Sequence, residues 1–410
     1  MFAQPNRILV FTPVFPKLNK GAAEQDQIYG ALHLQQLGHT VRMAAFLPGY
    51  QTADEVHAYS QQIGLDVTST AYPVPGATFR TAGQRLIATI RQPLLLDGAA
   101  YQHAHPLIFN FVADQIRSFR PDLIWLDNNF LWPIARLAKA HGVPVVIRSQ
   151  NFEPEHVLAE SGRSLLNYIR YAAKFMGEAA ALYYSRLLIA ITPVERAKYA
   201  RLAQANKIEL LPLRSLPIHL RPPRPANHHL PLHVFYWGST YNVSHNHAAL
   251  EFVTQHIWPR VRAQSPGDFC LHVYGGKVPP HIQSLAANDF VIHGFVSDLE
   301  IELDKMDIAL VPSLYGCGMQ QKVFEPLCRG FPTVTTKRGL AGYPFTFGLD
   351  VLTAQTPDEF TAHLLLLRDP QLRANLSENA SRRAAELFST ERQMEALNRI
   401  IQRALRSIAD

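Results

Sequence analysis

The sequence predicts an α/β protein with two domains, each built on a parallel sheet with helices on both faces. Three observations support this prediction. The chain has 410 residues, which is more than one ordinary hydrophobic core usually holds. Short, apolar, strand-like runs alternate with helical segments, as is typical of βαβ units. This alternation stops at a proline-rich stretch in mid-chain and then begins again, so two similar halves are expected.

The N-terminal half opens with a βαβ pattern. A buried strand over residues 7–16 is followed by a loop over 17–26, a helix, and a second strand over 39–46. Later runs of consecutive apolar residues predict strands that are buried on both faces. Another helix is expected to begin at Pro193, because proline fits the first helical turn. The other predicted elements of this half are strands over 121–127, 143–149 and 187–192 and a long helix over about 164–185.

The two halves are separated by residues 214–232. This segment is dense in proline and histidine and lacks helical periodicity, so we interpret it as an interdomain linker. Strand-like runs then resume, and the chain is predicted to be helical from Pro357 onward. The predicted strands are 233–239, 269–276, 290–296, 308–314 and 332–336, and the predicted divisions are 1–213, 214–232, 233–390 and a C-terminal helix over 391–410 that can pack back on the N-terminal domain.

Composition and charge narrow the classes of protein. The net charge of +6 is compatible with nucleic acid, anionic lipid or phosphate-bearing substrates, but no dense run of lysine and arginine supports nucleic acid. The three cysteines form no C-x-x-C pair, which favours a reduced compartment. No apolar run reaches the ~18 residues of a membrane span, and the N-terminus lacks the features of a signal peptide. We therefore expect a cytoplasmic protein.

The best candidate for a ligand site lies within residues 316–336. Gly316 and Gly318 allow close approach of the backbone after a predicted strand, and the helix that follows offers free N–H groups to an anion. Lys322 can add a positive charge beside a diphosphate, and Glu325 can accept hydrogen bonds from ribose hydroxyls. From spacing alone, an ordinary helix start with a solvated lysine and a capping-type glutamate stays an alternative.

This segment resembles the G-x-G-x-x-x-K-x-x-E-A-x-x-x-G-x-P-V-V-x-T signature of family-four-like glycosyltransferases of the group 1 type. The resemblance implies the GT-B fold, in which two Rossmann-like domains face each other across a cleft. It also implies that the C-terminal domain binds a nucleotide-sugar donor and that the N-terminal domain binds the acceptor, with retention at the sugar. The matching residues are Gly316, Gly318, Lys322, Glu325, Gly330, Pro332, Val334 and Thr336.

Three further segments of the C-terminal half resemble donor-domain segments of the same family: 236–259, 272–279 and 290–299. In the family, the glutamate at the position of Glu325 binds the donor ribose. An acidic residue that contacts the sugar is common where this chain has Cys317, so sugar recognition is not assigned to the cysteine side chain. The resemblance implies catalytic roles for Lys322, Glu325 and Lys277, and donor binding by Gly238, Ser239, Gly275, Gly276, Gly294, Phe295, Val296, Gly316, Cys317, Gly318, Met319 and Gln320. We interpret His293 as a buried structural histidine.

The prediction of acceptor-binding residues depends on a weaker resemblance in the N-terminal half. Residues 13–26 occupy the place of a glycine-rich loop of the family, and residues 148–156 resemble an R-x-H-N-x-E stretch in which Gln150 replaces the histidine. A metal cluster of Glu153, Glu155 and His156 is disfavoured, because Pro154 separates the two acids. The candidate acceptor-side or cleft residues are Gly21, Ala22, Arg148, Asn151 and Glu153.

No D-x-D motif occurs in the chain, which favours a metal-independent site, and we predict no metal ligand. No G-x-G-x-x-G follows the first strand, which disfavours a dinucleotide-dependent dehydrogenase, so no cofactor is expected. In such a site the leaving nucleoside diphosphate is neutralised by lysines and backbone N–H groups. Closure of the domains would exclude water from the donor.

The predicted function is transfer of a sugar from a UDP- or GDP-linked donor to a glycan, a lipid-linked acceptor or a small molecule. A nucleotide-sugar epimerase on the same fold and a non-catalytic nucleotide-sugar binding protein are the alternatives. Residues 164–177 carry Arg170 and Lys174 four positions apart among aromatic and apolar residues. This pattern suits peripheral contact with an anionic membrane on the cytoplasmic face. A packed core helix whose lysine and arginine reach the surface is the alternative.

Overall fold

The computed structural model describes residues 5–17, 21–72, 97–296 and 298–406. The chain divides into two compact units. One unit comprises Met1–Ser215 together with Gln393–Asp410, and the other comprises Leu216–Arg392. Among the described residues, no helix combines the length and the apolar character that crossing a membrane requires.

The N-terminal unit is built on a parallel sheet of seven strands in the order β3-β2-β1-β4-β5-β6-β7. Its central strands are buried along almost their whole length because helices cover both faces. The order reverses between β1 and β4, and in such sheets ligands bind beyond the carboxyl ends of the strands at the point of reversal. The strands are β1 (Arg7–Thr12), β2 (Thr40–Leu47), β3 (Asp66–Ala71), β4 (Leu123–Leu126), β5 (Val145–Arg148), β6 (Leu187–Ala190) and β7 (Ile208–Leu210).

Two apolar clusters pack on the two faces of this sheet. The first includes Trp132 and Phe119, and the second includes Leu397 and Ile400 from the C-terminal helix, so that helix packs within the N-terminal unit. Pro193 does occupy the first turn of its helix, as predicted. The helices of the unit are α1 (Ala22–Gln36), α2 (Ala53–Ile63), α3 (Gly98–His103), α4 (Pro106–Phe119), α5 (Trp132–Ala140), α6 (Glu153–Ser161), α7 (Leu165–Tyr184), α8 (Pro193–Tyr199) and the C-terminal helix Thr390–Leu405.

The second unit contains a parallel sheet of six strands in the order β10-β9-β8-β11-β12-β13. Because all its strands run in one direction, the loops that follow them lie along one edge of the sheet. The strands are β8 (Leu232–Thr240), β9 (Phe269–Gly276), β10 (Phe290–Gly294), β11 (Ile308–Val311), β12 (Thr333–Thr335) and β13 (Leu352–Thr353).

Helices cover both faces of the second sheet as well. One of them, α9, continues through a π-helical turn at Phe252–Ile257 into α10. The helices are α9 (Ser244–Glu251), α10 (Trp258–Gln264), α11 (Pro280–Gln283), α12 (Leu299–Leu303), α13 (Gln321–Cys328), α14 (Pro357–Leu366) and α15 (Pro370–Phe388), and they are followed by the C-terminal helix, α16 (Thr390–Leu405).

Each strand predicted from an apolar run is present, with ends shifted by a few residues. Three strands were not predicted. These are β3, which is polar and half-buried, and β7 and β13, which have three and two residues. The predicted loop over 17–26 also differs, because α1 already begins at Ala22.

The segment predicted as a linker, 214–232, is packed rather than free. Arg214 is completely buried in the N-terminal unit, and the boundary between the units lies between Ser215 and Leu216. Residues Leu216–His219 form a 3-10 turn whose His219 is buried within the second unit. The content of proline and histidine therefore correctly indicates a segment with little regular structure. Its buried side chains nevertheless pack within the units, Arg214 in the first and His219 in the second.

Candidate functional site

The residues predicted to bind the donor lie along one edge of the second sheet. They follow the carboxyl ends of four neighbouring strands, β10, β9, β8 and β11. This placement agrees with the general location of ligands in open α/β sheets. The residues at this edge are Gly238 and Ser239 on β8, Gly275, Gly276 and Lys277 on and after β9, Gly294, Phe295 and Val296 at and after β10, and Gly316, Cys317, Gly318, Met319, Gln320 and Lys322 after β11.

The first two loops approach each other so closely that one position has to be glycine. Gly275 has φ +141°, and a Cβ atom there would lie 2.2 Å from the carbonyl oxygen of Gly238. Gly276 is different, because its Cβ would meet nothing nearer than the Ser239 oxygen at 3.7 Å. The glycine pair predicted from a motif therefore has one member that packing itself requires. Lys277 is exposed and has φ 58°, in the left-handed region.

The loop after β11 turns through two glycines with positive φ, 108° at Gly316 and 73° at Gly318. The side chain of Gln320 closes this loop, because its Oε1 lies 2.9 Å from Ser313 Oγ and its Nε2 donates to the Tyr315 carbonyl. Gln320 therefore shapes the loop. The loop leads directly into α13, with Gln320 at the N-cap of that helix.

Cys317, at the position where relatives carry an acid, lies close enough to Arg338 for its charge to affect the guanidinium. Burial lowers the pKa of Arg338, and Cys317 opposes that shift. Arg338 belongs to the 3-10 turn after β12, which packs on the same loop through Gly339 and Ser313. Sequence reasoning missed this arginine because it lies two residues beyond the end of the matched segment, 316–336.

Lys322 is held in place by helix α9, which follows β8. Its Nζ donates to Asn246 Oδ1 at 2.9 Å and lies 5.9 Å from the centre of the Tyr236 ring. Burial lowers the pKa of Lys322 to about 8. The ammonium has three N–H donors, and its hydrogen bond to Asn246 uses one of them. A phosphate group is a suitable partner for the remaining charge.

The backbone of Lys322 is fixed as well. Helix α13 contains Pro326, which lacks an N–H, so the carbonyl of Lys322 four residues earlier loses its helical partner. Trp237 on β8 donates its Nε1–H to that carbonyl at 2.8 Å. The carbonyl thus keeps a hydrogen-bond partner despite the proline. The backbone of the lysine is anchored to β8, and its side chain is anchored to α9.

Glu325 is buried in a network of charges. Its Oε1 accepts from Arg329 Nε at 2.9 Å and from Nη2 at 2.8 Å, and its Oε2 accepts from Gln321 Nε2 at 2.9 Å. His219 Nδ1 lies 3.1 Å from Oε1, and burial lowers the pKa of this histidine. Arg329 also pairs with Glu300 on α12. A carboxylate accepts about four hydrogen bonds, so Oε2 retains the capacity to accept a further one.

The loop after β10 presents Gly294 with φ 68° and a side chain of Phe295 that is 74% exposed. An exposed phenylalanine beside a backbone turn is suited to contact with a flat base. His293, just before it, is half-buried rather than buried, and its Nε2 lies 2.9 Å from His272 Nδ1.

In the N-terminal unit, the structure places Arg148 in the core and not at the surface. The side chain is completely buried. Its Nε and Nη2 bind both oxygens of Asp26 at 3.0 and 2.9 Å, and its remaining donors bind the carbonyls of Leu211 and Pro212. These partners occupy the guanidinium, so the expectation that Arg148 contacts an acceptor does not fit the structure.

The other acceptor-side residues lie at the carboxyl edge of the N-terminal sheet. Gly21 precedes α1, Ala22 is its first residue, and Asn151 follows β5. Glu153 begins α6 and lies 3.4 Å from Lys174 Nζ.

Beneath Glu153 lies Glu178, which sequence reasoning missed. Burial raises the pKa of Glu178 to about 8, and its carboxyl accepts from the Glu153 N–H at 3.0 Å and from the Tyr199 hydroxyl at 2.8 Å. It therefore supports the loop from below. The acids once weighed as metal ligands pair with lysines instead, since Glu155 bonds Lys198.

Sequence comparison matches both halves of the chain to known families. Residues 31–214 match the "Glycosyl transferase 4-like domain" family, and residues 232–369 match the "Glycosyl transferases group 1" family. Together the two matches cover most of the chain. No curated protein matches the sequence.

Solved structures with a similar fold cover nearly the whole chain. The HepE protein of Anabaena in complex with UDP has a TM-score of 0.68 at 15% identity and covers 97% of this chain and 99% of its own. Sucrose-phosphate synthase from Thermosynechococcus elongatus has 0.67 at 15% identity, with 97% and 98% covered. A glycosyltransferase from Rickettsia africae has 0.65 at 13% identity, with 99% and 100% covered. At these identities the likeness shows the fold alone.

Proposed function

This chain belongs to the group 1 glycosyltransferases and has the GT-B fold, and from this premise we propose what it transfers and how. The proposed reaction is transfer of a hexose from a UDP- or GDP-linked donor to a glycan, a lipid-linked acceptor or a small molecule. We propose that it proceeds with retention and without a metal ion. The donor would bind at the edge of the second sheet, and the acceptor would contact residues of the N-terminal unit.

The observation that carries this proposal is the half-buried ammonium of Lys322 at the start of α13. Cleavage of the bond between sugar and diphosphate places negative charge on the leaving nucleoside diphosphate. Positive groups that are already in position when this charge develops lower the barrier most. Lys322, held by Asn246, and the N–H groups of the loop at Gly316–Gln320 are such groups. Lys277, exposed on the neighbouring loop, can add a second positive charge.

Structures of similar fold support the choice of donor. HepE has been solved with UDP, with UDP and glucose, and with UDP-glucose. We extend this nucleotide-sugar specificity to the present chain because its corresponding edge offers a phosphate-type site and a carboxylate, Glu325, suited to ribose. No nucleophile is assigned, because retaining enzymes of this family have no agreed protein nucleophile.

The test of the donor site compares two glutamates that share Arg329. We expect Glu325→Gln to lower the affinity for UDP or GDP about tenfold or more, since a hydrogen bond to a charged acceptor contributes about 1.5–3 kcal/mol. Glu300→Gln should leave it unchanged, because Glu300 pairs with the same arginine but is exposed on α12. Calorimetric titration of each variant with both nucleotides is the measurement.

Equal losses in the two variants would mean that Glu325 acts only through Arg329 and does not bind ribose. Absence of binding by the wild type to either nucleotide would contradict the proposed function altogether. Product analysis then separates the alternatives. An epimerase converts the donor without an acceptor, whereas a binding protein produces neither transfer nor hydrolysis.

Peripheral contact with an anionic membrane is a second part of the proposal. Lys174, one of the two basic residues of the predicted membrane-facing pattern, binds Asp97 at 2.9 Å and is largely buried, so it does not face lipid. The start of α7 does expose four apolar side chains beside Arg163 and Arg170, which are exposed too. Such a basic, apolar surface suits the headgroup region. The four apolar residues are Leu165, Leu166, Tyr168 and Ile169.

We expect the protein to sediment with vesicles that contain phosphatidylglycerol and not with phosphatidylcholine vesicles. Replacing Leu165 and Ile169 together with serine should weaken the affinity for these vesicles about 30-fold or more, because each side chain loses apolar burial of at least about 1 kcal/mol. Leu366→Ser is the control, since Leu366 is equally exposed in the second unit. Unchanged binding of the double variant would exclude this surface as the contact.

A further inference from the structure

Three potential metal ligands lie together on one face of the second sheet, away from the donor edge. His233 near the start of β8 is directly opposite Cys270 on β9 in the parallel register. His272 follows Cys270 by two residues, and alternate residues of a strand point to the same face. The backbone pairing of two central strands therefore brings two imidazoles and a thiol to one place.

The ligand atoms of these side chains are mutually close. His233, Cys270 and His272 each offer one atom, and these atoms all lie within 4.8 Å of one another. The closest pair is His233 Nδ1 and His272 Nε2, which are 2.8 Å apart. Two imidazole nitrogens on a tetrahedral Zn²⁺ are each about 2.0–2.1 Å from the ion and therefore about 3.4 Å from each other. An opening of roughly half an ångström is enough to replace the shared proton with an ion.

A fourth residue orients one of the ligands. His272 Nδ1 lies 2.9 Å from His293 Nε2 on β10. When His272 donates this hydrogen bond, the lone pair of its Nε2 points toward His233 and Cys270. Metal-binding histidines almost always have such a partner on the second ring nitrogen. The imidazole of His293 also stacks on Tyr274, with ring centres 4.3 Å apart, which fixes its position.

We propose that His233, Cys270 and His272 bind a zinc ion that ties β8 to β9. Two nitrogens and a thiolate suit Zn²⁺, which prefers four ligands in a tetrahedron. His233 is half-buried, so water can reach the fourth position. The site's role is structural, because His233 and Ser239 are six residues apart on the same strand, or about 20 Å at 3.3 Å per residue.

The ligands of the site bind metal only when they are deprotonated, as a thiolate and as neutral imidazoles. Binding of the ion must therefore release the proton of the Cys270 thiol.

Cobalt(II) is the probe, because a thiolate bound to it produces a charge-transfer band in the near ultraviolet. We expect one equivalent of Co²⁺ to give this band in the chelator-treated, full-length protein and Zn²⁺ to displace it. Cys270→Ser should abolish the band, and Cys317→Ser should leave it intact. Cys317 is the control because it is also a free cysteine but lies in the loop after β11. It is partly exposed, so serine is better tolerated there than at Cys328, which is buried.

Two further variants keep the test informative should Cys270→Ser fold poorly. His233→Gln removes a half-buried ligand and should weaken Co²⁺ binding by at least 100-fold, while His293→Gln should weaken it about 10–100-fold as a partner of a ligand does. Zinc should raise the Tm of the wild type and not that of His233→Gln. Absence of the charge-transfer band in the wild type, or its persistence in Cys270→Ser, would overturn the proposal.

Discussion

Replacing Lys322 with methionine is expected to lower kcat/KM for sugar transfer by about 10²–10³, the usual effect of removing one preorganised group that stabilises developing charge. Methionine has a similar length and fills the same space beside Tyr236, but it carries no ammonium. Asn246 Oδ1 then loses the charged donor that lies 2.9 Å away. The measurement is initial-rate kinetics with the nucleotide-sugar that binds most tightly. Because the charge develops in the transition state, kcat should fall more than KM rises.

The pH profile gives a second measurement on the same residue. Burial lowers the pKa of Lys322 to about 8, so its ammonium is present at neutral pH and is lost as pH rises above that value. We expect kcat/KM of the wild type to fall about tenfold per pH unit above pH 8. Lys322→Arg should retain part of the activity and lose this alkaline limb, since arginine stays charged.

Lys139→Met is the control for both measurements. Lys139 is an exposed lysine of the N-terminal unit, and its Nζ lies over the Tyr183 ring. It is distant in sequence from all the loops that carry predicted donor-binding residues. Its replacement should change neither kcat/KM nor the alkaline limb. A loss of less than about threefold in Lys322→Met would mean that the diphosphate is neutralised by other groups.

Replacing Asp26 with alanine is expected to destabilise the N-terminal unit by about 3–5 kcal/mol, the usual cost of removing one partner from a buried ion pair. Asp26 on α1 binds Arg148 at 2.9 Å and Arg214 at 2.7 Å, and all three side chains are at most 1% exposed. Without Asp26, two buried guanidinium groups lose their main counter-charge, and only Asp127 remains, at 2.8 Å from Arg214. The Tm should fall by ~6–20 °C.

The position of Arg214 allows no rearrangement toward α1. A Cβ at Gly30 would lie only 2.1 Å from Arg214 Nη1, so the guanidinium already occupies the space against that helix. The network joins α1, the end of β5 and the residues after β7. Its loss should therefore loosen several elements together and not one helix alone.

The same network makes stability depend on pH. Burial opposes ionisation of Asp26, but the charges of Arg148 and Arg214 outweigh it and hold the pKa of this carboxyl well below its ordinary value. A depressed carboxyl pKa contributes stability that is fully present above the unfolded pKa of about 3.9 and is lost as pH falls below it. Asp26→Asn should remove this dependence. Urea unfolding at several pH values, followed by tryptophan fluorescence, measures it.

Asp114→Ala is the matched control, because Asp114 also pairs with an arginine, Arg117, but both side chains are about two-thirds exposed. Its effect should stay within about 0.5 kcal/mol. If Asp26→Ala costs no more than this control, the buried charges do not hold the unit together.

The sequence by itself determined the two α/β units, most strands, and which glycines and charged residues follow the strands of the second sheet. Uninterrupted apolar runs such as 123–126 and 308–311 can be recognised in the sequence because a strand buried on both faces has to be apolar throughout. Gly316, Gly318, Lys322 and Glu325 stand out because they lie within one loop and helix, where their spacing resembles the family signature; their roles stay predictions. Short or polar edge strands such as β3 and β13 lack this signal and were missed.

Only the tertiary structure decided what the polar side chains contact. Arg148 was predicted at the acceptor side, but its partner Asp26 lies 122 residues earlier in the chain. Lys322 bonds Asn246, which is 76 residues away in the sequence, and His233 contacts His272, which is 39 residues away. The physical reason is that a buried charge or imidazole is stable only with a partner, and the sheet order selects that partner from distant segments. Local pattern carries no information on that selection.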